Sequence, residues 1–178
     1  MKRINVIGTS GSGKSTFSRE LANALGFPYI EMDAVYWKPN WGEPDDDTFF
    51  SDLEKVLSTE SWVLDGNYSR TQSLKWKHVD TVIWLDYGFL RTLYQVLFRS
   101  IRRAIAKQEL WPGTGNKESF SKIFLSKDSI VLWMLTHHKS NRIRYRRIFE
   151  ENSYPHIKFI RVTSPGEARK LLALAGSA

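Results

Sequence analysis

The stretch GTSGSGKST, Gly8 to Thr16, follows one short apolar run, RINVI, and constrains the fold more tightly than any other feature of the chain. Its spacing, Gly8-x4-Gly13-Lys14-Ser15, has physical meaning only between the end of a buried strand and the start of a helix. There the backbone N–H groups turn inward around a phosphate and the helix N-terminus adds partial positive charge. Both neighbours are present. Residues 3–8 read as a buried strand, and Ser15 to Leu25 places Phe17, Leu21, Ala24 and Leu25 on one helical face before Gly26 and Pro28 stop it. Gly8, Ser10, Gly11, Ser12, Gly13, Lys14, Ser15 and Thr16 are therefore expected to hold a nucleoside triphosphate, with Lys14 on the terminal phosphates and Ser15 on Mg2+.

The rest of the chain repeats the alternation of strand and helix. PYIEM reads as a strand ending at Asp33, followed by the aromatic loop AVYWKPNWGEP and a helix that opens on Asp45, Asp46 and Asp47, where acidic residues face the positive end of the helix dipole. Residues 61–65 and 79–86 read as strands, each ending in aspartate, and Phe89 to Ala106 as an amphipathic helix. WPGTGNKES is a loop by composition. A helical stretch from Lys122 to Glu151 is expected to break near His137 to Asn141, and a last strand, HIKFIRV, precedes a helix capped by Ser164 with Pro165 beside it. The class is α/β with a parallel sheet, and 178 residues suffice for one core, so a single domain spanning 1–178 is expected.

Charge divides the chain unevenly. Residues 1–86 hold nine Lys and Arg against thirteen Asp and Glu, and residues 87–178 hold seventeen against six, so a net charge of +7 conceals halves of −4 and +11. An anion belongs in the second half, either nucleic acid on a basic surface or the phosphates of a small substrate. The chain has no cysteine, which removes disulfides and thiolate zinc sites, and its longest apolar run, Ile130 to Leu135, is far short of the ~18 residues that span a bilayer. A cytoplasmic protein is expected.

In an open parallel sheet, ligands bind beyond the carboxyl ends of the strands, where Asp33, Asp65 and Asp86 are predicted to lie. One such carboxylate would hold magnesium and another would orient or deprotonate an acceptor hydroxyl, while capping or turn formation is the structural alternative for each. Arg99, Arg102 and Arg103 project from one side of the long helix, and Arg142, Arg144, Arg146 and Arg147 lie beyond the Gly-containing loop. Guanidinium groups on both sides of a flap suit phosphoryl transfer; a solvated basic face is the alternative, and it describes some of the seven. The four histidines form no pattern with carboxylates.

Three stretches, GTSGSGKST, Asp33-x-x-Tyr36-Trp37 and Asp65-Gly66-Asn67-Tyr68-Ser69-Arg70, together with the arginine-bearing helix, resemble the adenylate-kinase-like branch of small P-loop kinases. More narrowly, EMDAVYWKPNW and LDGNYSR resemble bacterial DNA topology modulation (FlaR-like) proteins. The resemblance implies a P-loop NTPase fold of three α/β/α layers, a five-stranded sheet in order 2-3-1-4-5, an acceptor flap around 33–61 and a lid around 107–141. It implies ATP and Mg2+ as cofactors. By position, Asp65 would stand near magnesium, Arg70 would grip the acceptor, and Arg102 or Arg103 would act on the donor phosphates; read from the motifs themselves, Lys14 and Asp33 join these as catalytic candidates, Arg142 and Arg146 as nucleotide contacts, and Asp33, Trp37 and Gly66 as acceptor contacts. Adenylate kinases place their arginine closer to the Asp-Gly pair and lack the Tyr36, Trp37 and Trp41 cluster, which argues against AMP. That cluster either stacks on another ring or packs the flap's own core. The expected function is Mg-dependent transfer of the ATP γ-phosphate to a small metabolite. The alternative is a nucleotide-binding regulator that contacts DNA or RNA, although no helix-turn-helix or zinc-finger signature supports base reading.

Overall fold

The computed structural model describes residues 1–107, 109–118, 129–151 and 153–177. Its strands are β1 (Arg3–Gly8), β2 (Tyr29–Glu31), β3 (Trp62–Asp65), β4 (Thr81–Leu85) and β5 (Lys158–Val162). They form one parallel sheet in the order β2-β3-β1-β4-β5, as expected. Strand alternation sends Ile7, Trp62, Leu64, Val82 and Trp84 to one face, where they pack with Met32, Phe49, Trp76 and Tyr145. Ile4, Val6, Val63, Ile83 and Leu85 go to the other and pack with Phe17, Leu21 and Ala168. Both faces are covered, as a parallel sheet requires, and the result is three layers.

Helix α1 (Lys14–Leu25) buries Phe17, Ser18, Leu21 and Ala22. Ala24, expected on that face, is exposed, because the buried stripe closes on adjacent pairs one turn apart. β2 stops two residues before Asp33, and the chain coils into α2 (Met32–Tyr36). Met32 and Tyr36 both enter the core while Ala34 is exposed; a continued strand would have put all three on one face. Asp33 therefore stands, exposed, in a first helical turn rather than at a strand end. In α3 (Asp46–Val56) the Asp45 carboxylate caps the start by accepting from the Thr48 amide at 2.8 Å.

After α4 (Gln72–Lys75) come α5 (Phe89–Ala106), α6 (Ile130–Glu150) and α7 (Pro165–Ala175). α6 runs unbroken through residues 137–141, against expectation. The Thr136 and Ser140 hydroxyls bond to carbonyls of the preceding turn, and His138 is buried edge-on against Phe89, so this polar stretch is held within the helix. Its expected start at Lys122 lies outside the described residues. No described helix is long and apolar enough to cross a membrane.

Candidate active site

β1 ends at Gly8 and α1 begins at Lys14, which sets the intervening loop at the carboxyl edge of the sheet. Gly11, with φ at 86°, is where the loop needs glycine: a Cβ there would stand 2.8 Å from the Thr92 carbonyl oxygen and from Val96 of α5. One wall of the loop is thus α5. The Lys14 ammonium turns back to the Thr9 carbonyl at 3.4 Å. Burial lowers its pKa, opposed by the carboxylates of Asp65, Asp33 and Glu31 around it.

Asp65, buried at the end of β3, accepts from the Tyr29 hydroxyl at 3.3 Å through Oδ2. Burial raises its pKa, opposed by Lys14 and Ser15. Its Oδ1 is buried without a partner, and so are Ser12 Oγ and Arg99 Nε. An unsatisfied buried polar group costs about 1–3 kcal/mol, so three of them beside one loop mark a place shaped for a polar ligand. Among the described residues no three His, Asp or Glu side chains gather as a metal cage. Magnesium needs none, since it takes one or two carboxylates and completes its shell with phosphate and water. Ser15, Asp65 and the loop amides fit Mg-ATP on these grounds.

Across from the loop lies the stretch expected to take the acceptor. The Tyr68 hydroxyl donates to Asp33 Oδ1 at 2.8 Å. Arg70 pairs with Asp46 at 2.8 Å and lies over the rings of Tyr36 and Phe49, at 4.9 and 5.3 Å from their centroids. Trp37 meets Trp41 edge-on at 5.4 Å and runs nearly parallel to Trp111 at 6.3 Å. Trp111 belongs to residues 109–118 of the stretch expected as a lid, and these rest on the flap, whereas residues 130–141 of the same stretch lie in α6, where Val131 and Met134 pack with Val96 and Ala104 of α5. The Trp111 indole N–H donates to Glu31 Oε1 at 3.2 Å, Asn116 accepts from the Trp41 amide at 2.8 Å, and its own amide donates to the Lys38 carbonyl at 3.0 Å. Glu31 was not anticipated from sequence. Burial raises its pKa, opposed by the Trp111 and Tyr29 donors.

Other expected residues are placed elsewhere. Asp86 is buried but pairs with Arg142 at 2.8 Å and with Arg161, whose Nε donates at 2.9 Å, so it ties β5 to α6. Arg146 is exposed one turn beyond Arg142. On α5, Arg99 lies near enough to Asp33 and Asp65 for their charges to act on it, and Arg103 pairs with Glu118 at 3.1 Å. Arg102 is exposed beside Phe98, Ile101 and Ile105. The helical repeat explains the split: Arg99 and Arg103 are four apart and share a stripe, and Arg102 lies about 100° around from Arg103.

No protein-family model matches the chain. A shikimate kinase from Persephonella marina is 33% identical over 145 residues, which cover 73% of this chain and 84% of the relative. The chain belongs to the shikimate-kinase-like family of small P-loop kinases. A cytidylate kinase from Thermodesulfovibrio yellowstonii is 54% identical over 37 residues, 20% of this chain and 17% of that one. The fold is also that of a shikimate kinase from Acinetobacter baumannii in complex with shikimate, at TM-score 0.59 and 18% identity over 98% of this chain and 90% of that one. As a member of this family the chain is an ATP-dependent phosphotransferase that acts on a small acceptor.

Two side chains of this kinase that sequence reasoning passed over tie its site together. Asn67, in the turn after β3, accepts from the Gly8 amide at 3.0 Å and donates to the Gly8 carbonyl at 2.6 Å. Beneath that turn is Lys75, with no exposed surface, whose ammonium donates to the Asn67 carbonyl at 2.7 Å and the Gly66 carbonyl at 3.4 Å. Burial, with the Arg144 charge adding, lowers its pKa to about 7. The folded value lies below the ordinary one near 10.5, so between pH 7 and 9 the unfolded chain binds the extra proton and Lys75 makes stability rise with pH. Lys75→Met is expected to flatten that rise, by at most about 1.4 kcal/mol per pH unit. Parallel slopes for variant and wild type, in urea unfolding at pH 7, 8 and 9, would show that Lys75 does not titrate there.

Proposed function

We propose that phosphoryl transfer takes place between the Gly8–Ser15 loop and Asp33, to a hydroxyl oxygen of a small metabolite held against the flap. The observation that carries this reading is the set of buried polar atoms without partners beside the loop, Ser12 Oγ, Asp65 Oδ1 and Arg99 Nε, with Lys14 near enough for the Asp65 and Arg99 charges to act on it. Backbone amides and Lys14 hold the triphosphate, and Lys14 neutralises charge that grows on the β–γ bridging oxygen as the bond breaks. Ser15 and Asp65 hold magnesium, which when bound screens the phosphate oxygens. Asp33 orients the acceptor hydroxyl and takes its proton. Tyr68 keeps the Asp33 carboxylate in place, Gly66 lets Met32 pack beneath the turn, and Arg70 and Trp37 border the acceptor.

Arg99 and Arg103 supply positive charge from α5, with Arg142 and Arg146 farther out on α6. Arg103→Ala is expected to lower kcat about tenfold or more while ATP affinity holds, whereas Arg102→Ala, changed at an exposed position, stays within about twofold. The reverse ranking, read from steady-state kinetics of both variants, would move the arginine contact to the outer face. The whole reading is tested by ADP release from Mg-ATP across a panel of metabolites and nucleoside monophosphates. If no Mg-ATP binding is seen by calorimetry, it fails. A nucleic-acid regulator, as the topology-modulation resemblance suggests, draws less support, since the relatives this chain is similar to are kinases.

A further inference from the structure

Resting on the reading of the Gly8–Ser15 loop as the nucleotide site, we propose that Asn67 is a positioning residue for the bound triphosphate, held in place by Lys75 and acting through the Gly8 peptide. Both side chains work from behind the loop.

The place for Asn67 arises where the ladder ends. β1 and β3 run in register from Arg3 and Trp62 to Val6 and Asp65, and the Gly66 amide adds one more bond, to the Val6 carbonyl at 3.3 Å. Gly66 then turns the chain aside with φ at 148°, over Met32, where a Cβ would stand 2.7 Å from that side chain. Alternate residues of a strand direct their N–H and C=O to the same neighbour, so Gly8 offers both groups toward β3, two residues past the last pair. The Asn67 carboxamide fills the vacated position. Its Oδ1 accepts from the Gly8 amide at 3.0 Å and its Nδ2 donates to the Gly8 carbonyl at 2.6 Å, so one side chain supplies what a strand would have supplied. β1 is thereby held to its last residue. The next carbonyl, that of Thr9, accepts from the Ser12 amide at 3.0 Å and from the Lys14 ammonium at 3.4 Å, so a tilt at Gly8 is passed on to Lys14.

The other end of the relay is buried. Lys75 closes α4 with no exposed surface, and among the described residues no carboxylate pairs with it. Its ammonium instead donates to the Asn67 carbonyl at 2.7 Å and the Gly66 carbonyl at 3.4 Å. Asn5 Nδ2 adds a bond to the Gly66 carbonyl at 3.2 Å, and the Trp76 indole N–H holds Asn5 by its Oδ1 at 3.0 Å. Burying an ammonium without a counter-charge is costly, and a methionine would fill the same space without that cost. Packing alone therefore gives no reason for lysine here. Fixing two successive carbonyls of the turn does, and Asn67 carries that fixed position across to the loop.

Calorimetric titration of the full chain with Mg-ATP, at a temperature well below the melting point of every variant, tests this. Asn67→Leu keeps the bulk and loses both bonds, and it is expected to weaken Mg-ATP about tenfold, whereas Asn67→Gln, which keeps the carboxamide, stays within about threefold of wild type. Lys75→Met lies beneath the turn, yet it should weaken Mg-ATP about threefold. Added to Asn67→Leu it should cost nothing further, because it acts only through Asn67. A merely structural pair would lower the melting temperature and leave the affinity of the folded protein alone. Unchanged affinity in Asn67→Leu, or in Lys75→Met should Asn67→Leu fail to fold, overturns the proposal, and so do losses that multiply in the double variant. Wild-type protein that binds no Mg-ATP sinks the kinase reading and this inference together. Wild-type binding with unaffected variants sinks this inference alone.

Discussion

Lys14→Ala is expected to lower kcat by about two to three orders of magnitude, the loss that follows removal of one charge-stabilising donor from a reacting centre. The fold should survive. Lys14 sits at the first residue of α1, where alanine is a good helix former, and burial already disfavours its charge, so thermal unfolding should move little or upward. Acceptor-dependent ADP release and a melting curve on the same preparation separate the two effects. A variant that keeps wild-type kcat would mean that the phosphates lie elsewhere, and one that melts far below wild type would make Lys14 a structural residue.

Asp33→Asn is expected to reduce acceptor-dependent turnover by about 10²–10⁴-fold, the usual worth of a positioned proton acceptor. Asparagine keeps an oxygen for the Tyr68 hydroxyl, 2.8 Å away in the wild type, so the turn that carries Asp33 should stay in place. ATP affinity by calorimetry should hold within about twofold if Asp33 acts on the acceptor, as proposed. Loss of ATP and acceptor binding together would place Asp33 in the nucleotide site. Arg70→Ala should act more mildly, since Arg70 already has Asp46 as a partner.

Legibility from sequence followed the range of the interactions. The phosphate loop could be read directly because each of its residues acts through local chemistry, and sheet order came with the family resemblance that this loop helped to establish. In the sequence Asp33 reads as a strand end because Met32 fits both the two-residue and the helical period, and only its packing chooses between them. The break expected in α6 followed from a polar composition whose hydroxyls in fact bond within the helix. Lys75, in QSLKWKHVD, looks like any solvated lysine; what buries it are Met32, Gly66 and Asn67, and no periodicity signals that. Trp111 and Glu31 meet across eighty positions of chain, and nothing near either residue announces the other.

The paired bonds between Asn67 and Gly8 join the turn that leads to Tyr68 and Arg70 to the first residue of the phosphate loop. Whatever orders one of these segments also lowers the entropic cost of ordering the other. If the nucleotide binds at one segment and the acceptor at the other, as proposed, the two are linked, and reciprocity requires that the factor by which bound nucleotide tightens the acceptor equal the factor by which bound acceptor tightens the nucleotide.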